Sequence, residues 1–185
     1  MADKKAFPTQ PSLIGKNVYL RPATSDDMAN YQYWFLQSEP QFMSCHPLSF
    51  LTVSEAAERY KKTEKSENKQ KFAIINKENN VMLGVISFFN FNHLNRSAEL
   101  GILIDPDTRK KGFATEAMRL LIKYLFMYRG LNKVYAETAE FNKPATKLLE
   151  TLGFKKDGTL RDHHFYKGEF HNKLVYSYLR FELEW

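Results

Sequence analysis

The chain of 185 residues is long enough for one compact domain. Its apolar fraction of 43% and aromatic fraction of 15% exclude a wholly disordered chain. Lys and Arg total 27 against 21 Asp and Glu, and this net charge of +6 suggests an anionic partner: a nucleic acid, an acidic membrane or a small phosphorylated ligand.

The sequence lacks the usual signals of a secreted or membrane protein. Its single cysteine, Cys45, permits no internal disulfide. Residues 1–16 contain lysines and prolines without the apolar segment of a secretory signal. The best apolar run, residues 81–91, is about half as long as the ~20 residues that span a bilayer. We therefore expect a cytoplasmic protein that does not insert into a membrane.

Apolar periodicity predicts seven strands and four helices in the order β–α–α–β–β–β–α–β–α–β–β. Residues 1–15 are interpreted as a flexible N-terminal arm and residues 16–185 as a single domain. The predicted strands span 17–21, 71–75, 81–91, 97–104 and 134–138, with two more in 155–185 around a turn at Lys167–Gly168. Central strands flanked by helices imply one mixed sheet with helices on both faces, an α/β fold class.

Capping residues and apolar faces define the four predicted helices, at approximately 24–37, 52–60, 112–129 and 142–153. Thr52 and Glu55 form a capping box at the start of the second helix. Asn142 is the expected N-cap of the fourth helix. The lysine-rich stretch 61–71 after the second helix is interpreted as a solvated helix end and loop.

The stretch 102–117 is the most informative part of the chain, because a strand leads through a basic turn into a helix. The first turn of a helix leaves backbone N–H groups unpaired, and the helix dipole favours negative charge there. Gly112 lets a phosphate approach the main chain, and Arg109, Lys110 and Lys111 concentrate positive charge at the entrance. A plain strand-to-helix turn with a solvated basic tip is the alternative. The glycine motifs of dinucleotide-binding and nucleoside-triphosphate-binding sites are both absent. The pattern therefore favours a ligand with a pyrophosphate group, but it does not argue for a nicotinamide dinucleotide or for nucleotide hydrolysis.

The segment Arg109-Lys-Lys-Gly-Phe-Ala114 resembles the R/Q-x-x-G-x-G/A acetyl-CoA motif of the GNAT N-acetyltransferases. The segment from Asn142 to Phe154 resembles the next conserved segment of that family, and the resemblance extends from about Val18 to Trp185. Details are similar to the branch that acetylates ribosomal-protein N-termini (the RimJ/RimL type) and to the spermidine acetyltransferases. The segments that carry this finer likeness are Ser97–Gly101, Gly112–Glu116, Asp157–Leu160 and Leu183–Trp185.

The resemblance implies a GNAT fold, with a mostly antiparallel twisted sheet whose strands splay apart at the cofactor slot. It implies an acetyl-CoA-dependent enzyme that moves an acetyl group to a primary amine by direct attack on the thioester. Strand backbone, turn amides, Asn142 and Lys147 would bind coenzyme A. The implied cofactor residues are Ile102, Leu103, Ile104, Arg109, Lys110, Lys111, Gly112, Phe113, Ala114, Thr115, Asn142 and Lys147. Gly101 is expected to form a bulge that splays its strand from the strand over 134–138.

Glu99 is the candidate general base, acting through a water molecule, because it lies on the splayed strand just before the cofactor contacts. The alternative is a strand carboxylate that faces solvent or pairs with a lysine. No general acid is assigned: the ribosomal branch has serine where this chain has Ala145, and the spermidine enzymes have tyrosine where it has Leu149. The thiolate can also leave without an acid. The remaining candidates for the acid, all from the tail, are His163, His164 and Tyr166.

The acceptor pocket is expected to involve the first two helices, from about Trp34 to Tyr60, and a loop at 161–166. A polyamine site needs several carboxylates. The carboxylates in the first part are few and are opposed by Arg59, so a protein N-terminus or another small amine is favoured over a polyamine. The three carboxylates are Glu39, Glu55 and Glu58.

Two functions of other classes are alternatives. One is an acyl-CoA-binding sensor or scaffold without efficient turnover, which Ala145 and Leu149 favour. The other is a basic RNA-binding domain, which the scattered positive charge disfavours, so no nucleic-acid partner is expected. The five histidines and one cysteine show no metal-ligand spacing, and no metal is expected. A homodimer is compatible with the sequence.

Overall fold

The computed structural model describes residues 13–37, 50–63 and 66–183. It contains the predicted strands and helices in the predicted order. The elements are β1 (Val18–Pro22), α1 (Asp27–Gln37), α2 (Val53–Thr63), β2 (Gln70–Asn76), β3 (Met82–Asn92), β4 (Ser97–Ile104), α3 (Phe113–Met127), β5 (Lys133–Ala139), α4 (Lys143–Thr151), β6 (Lys155–Tyr166) and β7 (Glu169–Leu179), with short 3-10 turns at Pro106–Thr108 and Arg180–Glu182.

The seven strands form one sheet in the order β1-β2-β3-β4-β5-β7-β6. Neighbouring strands are antiparallel except β4 and β5, which are parallel. The β4–β5 ladder is short, from Ser97 opposite Lys133 to Glu99 opposite Tyr135. Beyond Glu99, β4 stays paired with β3 as far as Ile104. The predicted mostly antiparallel sheet and the splay between these two strands are therefore confirmed.

The bulge that was expected at Gly101 is wrong. The β3–β4 register is continuous from Phe89 opposite Glu99 to Gly84 opposite Ile104, and the irregularity lies on β3 between Phe89 and Asn92. There Asn90 has a φ of +50°, a left-handed conformation that asparagine tolerates better than most residues. Gly101 serves close packing instead, because a Cβ atom there would lie 3.1 Å from Cε1 of Phe89.

Different side chains cover the two faces of the sheet. On the apolar face (Ala98, Leu100, Val134, Ala136), the strands pack with α3 and α4 into one large hydrophobic cluster. The polar face (Glu99, Tyr135, Glu137, Lys173) belongs to the side where α1 and α2 pack. The apolar clusters on that side are small, one around Tyr19, Ala73 and Ile75 and one around Ala23, Met28 and Val85. The alternation of strand side chains places neighbouring residues on opposite faces.

Local signals fixed several element starts as predicted. The Thr52 backbone N–H donates to Oε2 of Glu55 at 2.7 Å, and the Glu55 N–H donates to Oγ1 of Thr52, so the capping box is confirmed. Asn142 Oδ1 accepts from the N–H of Ala145 as the N-cap of α4. No helix in the described ranges is long and apolar enough to cross a bilayer.

Two sequence expectations about segment ends need correction. Leu13 and Ile14 were assigned to the N-terminal arm, but Leu13 is buried in the main cluster and Ile14 bridges to Tyr19. Lys71 was assigned both to the end of the solvated stretch 61–71 and to the start of the strand 71–75. It lies in β2, with its Nζ 4.2 Å from the ring centre of Tyr31. Burial, with Lys69 and Arg59 nearby, lowers the pKa of Lys71 to about 8.

Candidate active site

The divergence of β4 from β5 opens a cleft of about 220 Å³. Because the gap lies within the sheet, residues from both faces line it. Glu99 and Glu137 contribute from the polar face, and Leu100 and Thr138 from the apolar face. Side chains of α1 and α4 complete the walls; they include Tyr31, Phe35, Asn142, Ala145, Leu148 and Leu149.

The β4 side of the cleft is a strand edge that is not paired with another strand, although it lies inside the fold. Gly101, Ile102 and Leu103 line it, and Ile104 continues the same strand. Past Glu99 the backbone groups of β4 that face β5 have no ladder partner on that strand. An extended ligand with amide groups can therefore bind along this edge as an added strand does.

The N-terminus of α3 follows closely after β4 and carries the predicted basic turn. Gly112 occupies the N-cap with φ of +82° and gives no side-chain cap. The first-turn amides of Phe113, Ala114 and Thr115 therefore have no acceptor within the helix. The neighbouring basic side chains Arg109, Lys110 and Lys111 are exposed. Free amides, a helix dipole and three cations together suit a phosphate group.

Glu99 is held at the point where the β4–β5 pairing ends. It is 6% exposed, and its Oε2 accepts a hydrogen bond from Nδ2 of Asn90 at 2.9 Å. Burial raises the pKa of Glu99 above its usual value; the Asn90 hydrogen bond opposes this rise, and the nearby carboxylate of Glu137 adds to it. A carboxylate with a raised pKa is a stronger base than an ordinary glutamate.

A family model described as the acetyltransferase (GNAT) domain matches residues 17–155. The chain belongs to the GNAT acetyltransferase family. It is 32% identical over 154 residues to the uncharacterized N-acetyltransferase p20 of Bacillus licheniformis, covering 82% of this chain and 85% of that protein. It is 36% identical over 103 residues to the putative ribosomal N-acetyltransferase YdaF of Bacillus subtilis, covering 56% of each chain.

The solved structure of the spermidine N-acetyltransferase from Vibrio cholerae, in complex with CoA and spermine, has a TM-score of 0.84 with this chain. The two chains are 23% identical, with 91% of this chain and 98% of that chain covered. This likeness shows a shared fold, so the predicted GNAT fold is confirmed. As a GNAT acetyltransferase, the protein is an acetyl-CoA-dependent N-acetyltransferase.

The residues of this GNAT cleft fit acetyl-CoA. The turn before α3 offers amides and cations for phosphates, and the free edge of β4 offers backbone groups to the two amides of a pantetheine arm. Asn142 lines the cleft; its Oδ1 is engaged in capping α4, which leaves its amide hydrogens for a ligand. Lys147 is exposed on α4 and does not line the cleft, so its contact with the cofactor stays a prediction.

Three cleft residues of the GNAT domain were missed at the level of sequence. Glu137 pairs with Lys173 across the β5–β7 ladder at 2.6 Å. Thr138 is 3% exposed, and its Oγ1 has no hydrogen-bond partner among the described residues. Tyr31 of α1 forms part of the wall. The alternation of the predicted strand 134–138 could have placed Glu137 and Thr138 on opposite faces, but not at a cleft.

The structure separates the residues considered for the general acid. Ala145 and Leu149 line the cleft, and neither side chain can donate a proton. His163, His164 and Tyr166 are not among its lining residues. His164 is instead buried beside Phe141, with ring centres 5.8 Å apart, and Phe141 also stacks on Tyr166.

The expected acceptor region, the first two helices and their connection from about Trp34 to Tyr60, stays a prediction, because residues 38–49 lie outside the described residues. Tyr31 and Phe35 of α1 line the cleft, whereas Trp34 is buried and the Tyr60 hydroxyl donates to the carbonyl of Ala23. Glu39 lies outside the described residues. Residues 161–166, near which an acceptor loop was expected, belong to β6, as the predicted pair of tail strands implies, and do not line the cleft. β6 is an edge strand interrupted by a register shift near Asp162.

Proposed function

We propose that Glu99 is the general base of this N-acetyltransferase and that the acceptor is a primary amine with one positive charge, such as a protein N-terminus or a small monoamine. The observation that carries this proposal is the buried Glu99 carboxylate, raised in pKa and fixed by Asn90, at the mouth of the β4–β5 splay. It is the position from which a base reaches an amine on the polar face of the sheet.

The proposed cofactor site follows the implied residues. Backbone groups of Ile102, Leu103 and Ile104 would bind the pantetheine arm, with the amide group of Asn142 on the opposite wall. The turn Arg109–Gly112 and the amides of Phe113–Thr115 would bind the pyrophosphate. The support is the free strand edge and the uncapped start of α3.

Acetyl-CoA supplies an acetyl group activated as a thioester. An ammonium ion has no free electron pair, so the amine must lose a proton before it can attack. Glu99 would take that proton through a water molecule, and Asn90 would keep the carboxylate oriented while it does so. A backbone N–H on the free edge of β4 would stabilise the negative charge that develops on the carbonyl oxygen.

The charge count at the cleft supports an acceptor with one positive charge. The carboxylates that line it in the described ranges are Glu99 and Glu137, and Lys173 already neutralises Glu137. Glu55 on α2 is occupied as a helix cap. Tyr31, Phe35 and Phe89 offer ring surface beside the amine. One free carboxylate suits a monocation better than a polycation.

A polyamine acceptor is the second candidate, because the neighbour with a TM-score of 0.84 is a spermidine N-acetyltransferase bound to spermine. A panel of spermidine, spermine, short peptides with free N-termini and monoamines distinguishes the two. The readouts are thiol release from acetyl-CoA and the mass of the acetylated product. We expect a peptide or monoamine to give the highest kcat/KM. Spermidine as the best acceptor would overturn the charge argument, and CoA binding without thiol release from any amine would favour the sensor.

A further inference from the structure

The hydroxyl of Thr138 is buried in the cleft without a partner. The residue is 3% exposed, and Oγ1 is the buried side-chain polar atom for which no hydrogen bond is found within the described ranges. A buried hydroxyl without a partner is unfavourable, because it gives up its hydrogen bonds to water and gains none in return. An unpaired, buried hydroxyl beside a ligand cleft suggests that its hydrogen-bond partner is an atom of the ligand.

The position of Thr138 in the sheet indicates which part of the ligand it meets. It follows Val134 and Ala136 on the apolar face, and β7 places Leu174 opposite it. α3, whose N-terminus bears the basic turn, packs on this same face. A ligand whose phosphates bind at that turn therefore approaches Thr138 from the cofactor side. Glu99 lies on the other face, where the amine is expected.

Three other polar side chains along the cleft, Ser87, Glu99 and Glu137, already have partners, and Asn142 is engaged through its oxygen. Ser87 donates to the carbonyl of Gly101, and Glu99 accepts from Asn90. The Asn142 oxygen caps α4, and Glu137 pairs with Lys173. The α4 residues that face the cleft are Ala145, Leu148 and Leu149, which have no donor. Thr138 is thus the buried donor in the described cleft that remains available to a ligand on the apolar side.

We propose that Thr138 Oγ1 donates a hydrogen bond to the sulfur of coenzyme A and stabilises the thiolate as it leaves. The inference rests on the proposed function and deepens it. In the balanced step, the amine nitrogen forms a bond to the acetyl carbon, and the carbon–sulfur bond breaks with its electron pair on sulfur. Glu99 passes the earlier ammonium proton to solvent and then takes the second proton, which the nitrogen loses as the amide forms. The Thr138 proton stays on its oxygen, and the thiolate is protonated later by solvent, since a thiol such as free cysteine, with a pKa of about 8.5, is mostly protonated at neutral pH.

The test is a binding measurement that needs no acceptor. Isothermal calorimetry at pH 6 and pH 9 compares CoA with desulfo-CoA, which lacks the sulfur atom. At pH 9, where the thiolate is populated, we expect the wild-type protein to bind CoA about 10- to 100-fold more tightly than desulfo-CoA, the range for a hydrogen bond to a charged group. At pH 6 the preference should shrink.

Thr138→Val keeps the side-chain shape and removes the donor. It should abolish the preference for CoA over desulfo-CoA at pH 9 and lower kcat about 10- to 100-fold. Thr138→Ser, which keeps the hydroxyl, should retain both the preference and the wild-type kcat. Because the hydroxyl has no hydrogen-bond partner among the described residues, Thr138→Val should melt at the same temperature as wild type or higher. The matched control is Thr146→Val on α4, whose hydroxyl donates to the carbonyl of Lys143 and which does not line the cleft.

The outcomes separate two failures. If the wild-type protein binds CoA and desulfo-CoA equally at pH 9, or if Thr138→Val keeps the preference, the role of Thr138 is overturned while the cofactor site stands. If neither compound binds, the cofactor site itself fails and this inference fails with it. A clear loss of melting temperature in Thr138→Val would assign the hydroxyl to folding and overturn the proposal as well.

Discussion

The two faces of the sheet are built on different principles. The apolar face packs against α3 and α4 in one continuous hydrophobic cluster, with Leu121, Leu125 and Phe126 fully buried. The polar face has two small clusters and carries charged side chains, with Glu99 6% exposed and Lys173 paired to Glu137. Close packing holds one face rigid. On the other face, buried charged groups are unfavourable for folding, and such groups are common at catalytic sites.

The cleft joins these two environments because it crosses the sheet. Its apolar side continues into the helix start that suits phosphates, and its polar side carries the proposed base. In the proposed arrangement the cofactor and the acceptor would meet from opposite faces, and substitutions on one face would disturb only one of them. Substitutions at four places test that separation.

The largest effect is expected from Glu99→Gln on the polar face. Loss of the base should lower kcat by about 10²- to 10⁴-fold with little change in the affinity for CoA. The acid limb of the wild-type pH profile, set by the raised pKa of Glu99, should disappear in the variant. The control is Glu169→Gln at the exposed β6–β7 turn. Unchanged turnover in Glu99→Gln at neutral pH would refute the assignment.

The same substitution should also stabilise the fold near neutral pH. Because the folded-state pKa of Glu99 is raised, its contribution to stability is present below the unfolded carboxylate pKa and is lost as the pH rises through the folded value. Thermal unfolding should give a higher Tm for Glu99→Gln at pH 7 and a smaller difference at pH 4. A lower Tm at pH 7 would contradict the burial of a charged group.

Asp27→Asn should weaken the anchor of α1 on the polar side. Arg21 makes two hydrogen bonds to Asp27, at 2.6 and 2.8 Å, and Thr24 donates two more, from its backbone N–H and its hydroxyl. Although burial favours the protonated form, these partners hold the pKa of Asp27 below its usual value. Breaking the pair should lower the free energy of unfolding by about 2–3 kcal/mol. Urea unfolding at pH 7 measures this loss.

The pH dependence provides the control for that variant. Since the folded pKa of Asp27 is lowered, its stabilisation is present above the unfolded carboxylate pKa and is lost as the pH falls through the folded value. The difference between wild type and Asp27→Asn should therefore narrow below pH 4. A difference that stays constant down to pH 2 would assign the effect to packing rather than charge.

Removing the basic turn should affect cofactor binding from the apolar side. The triple variant Arg109→Ala, Lys110→Ala, Lys111→Ala should raise the Kd for CoA about 10-fold, more at low salt than at high salt. The matched control is the triple variant Lys61→Ala, Lys62→Ala, Lys69→Ala, which removes the same charge from exposed positions elsewhere. Equal weakening by both variants would indicate a general charge effect and no local phosphate site.

The smallest effect is expected from Gly112→Ala. The φ of +82° should make this variant less stable by about 1 kcal/mol, and the shift of the helix start should raise the Kd for CoA a few-fold. Gly130→Ala has a similar backbone requirement, with φ of +66° and open space around the glycine. It should lose similar stability without a change in Kd. A change of Kd in both variants would point to strain alone.

The sequence alone predicted the structural features that depend on a few neighbouring residues. The basic turn before α3, the capping box at Thr52 and the cap at Asn142 depend on a few adjacent residues. The splay was expected from family resemblance, but the bulge was misplaced at Gly101. The irregularity lies at Asn90 on β3, and its position depends on how β3 meets β4. The sequence could not predict that the Thr138 hydroxyl is available to a ligand, since this depends on which atoms the fold brings near it. The sequence placed both a tail strand and an acceptor loop near 161–166. The structure has the strand, whose polar residues on both sides are tolerated at a sheet edge.

The splay has a further consequence for the protein before its ligand binds. Most sheets keep unpaired edges at their margins, whereas this fold holds one in its interior, beside Gly101–Ile104, with helices on both sides. Those helices shield the unpaired edge of β4 from strands of other molecules. The gap between β4 and β5 suits a narrow, extended ligand that carries its own amide groups. Hydrogen exchange should detect this as fast amide exchange along that part of β4 which slows when CoA binds. Coenzyme A bound in the proposed way would complete the sheet as well as the active site.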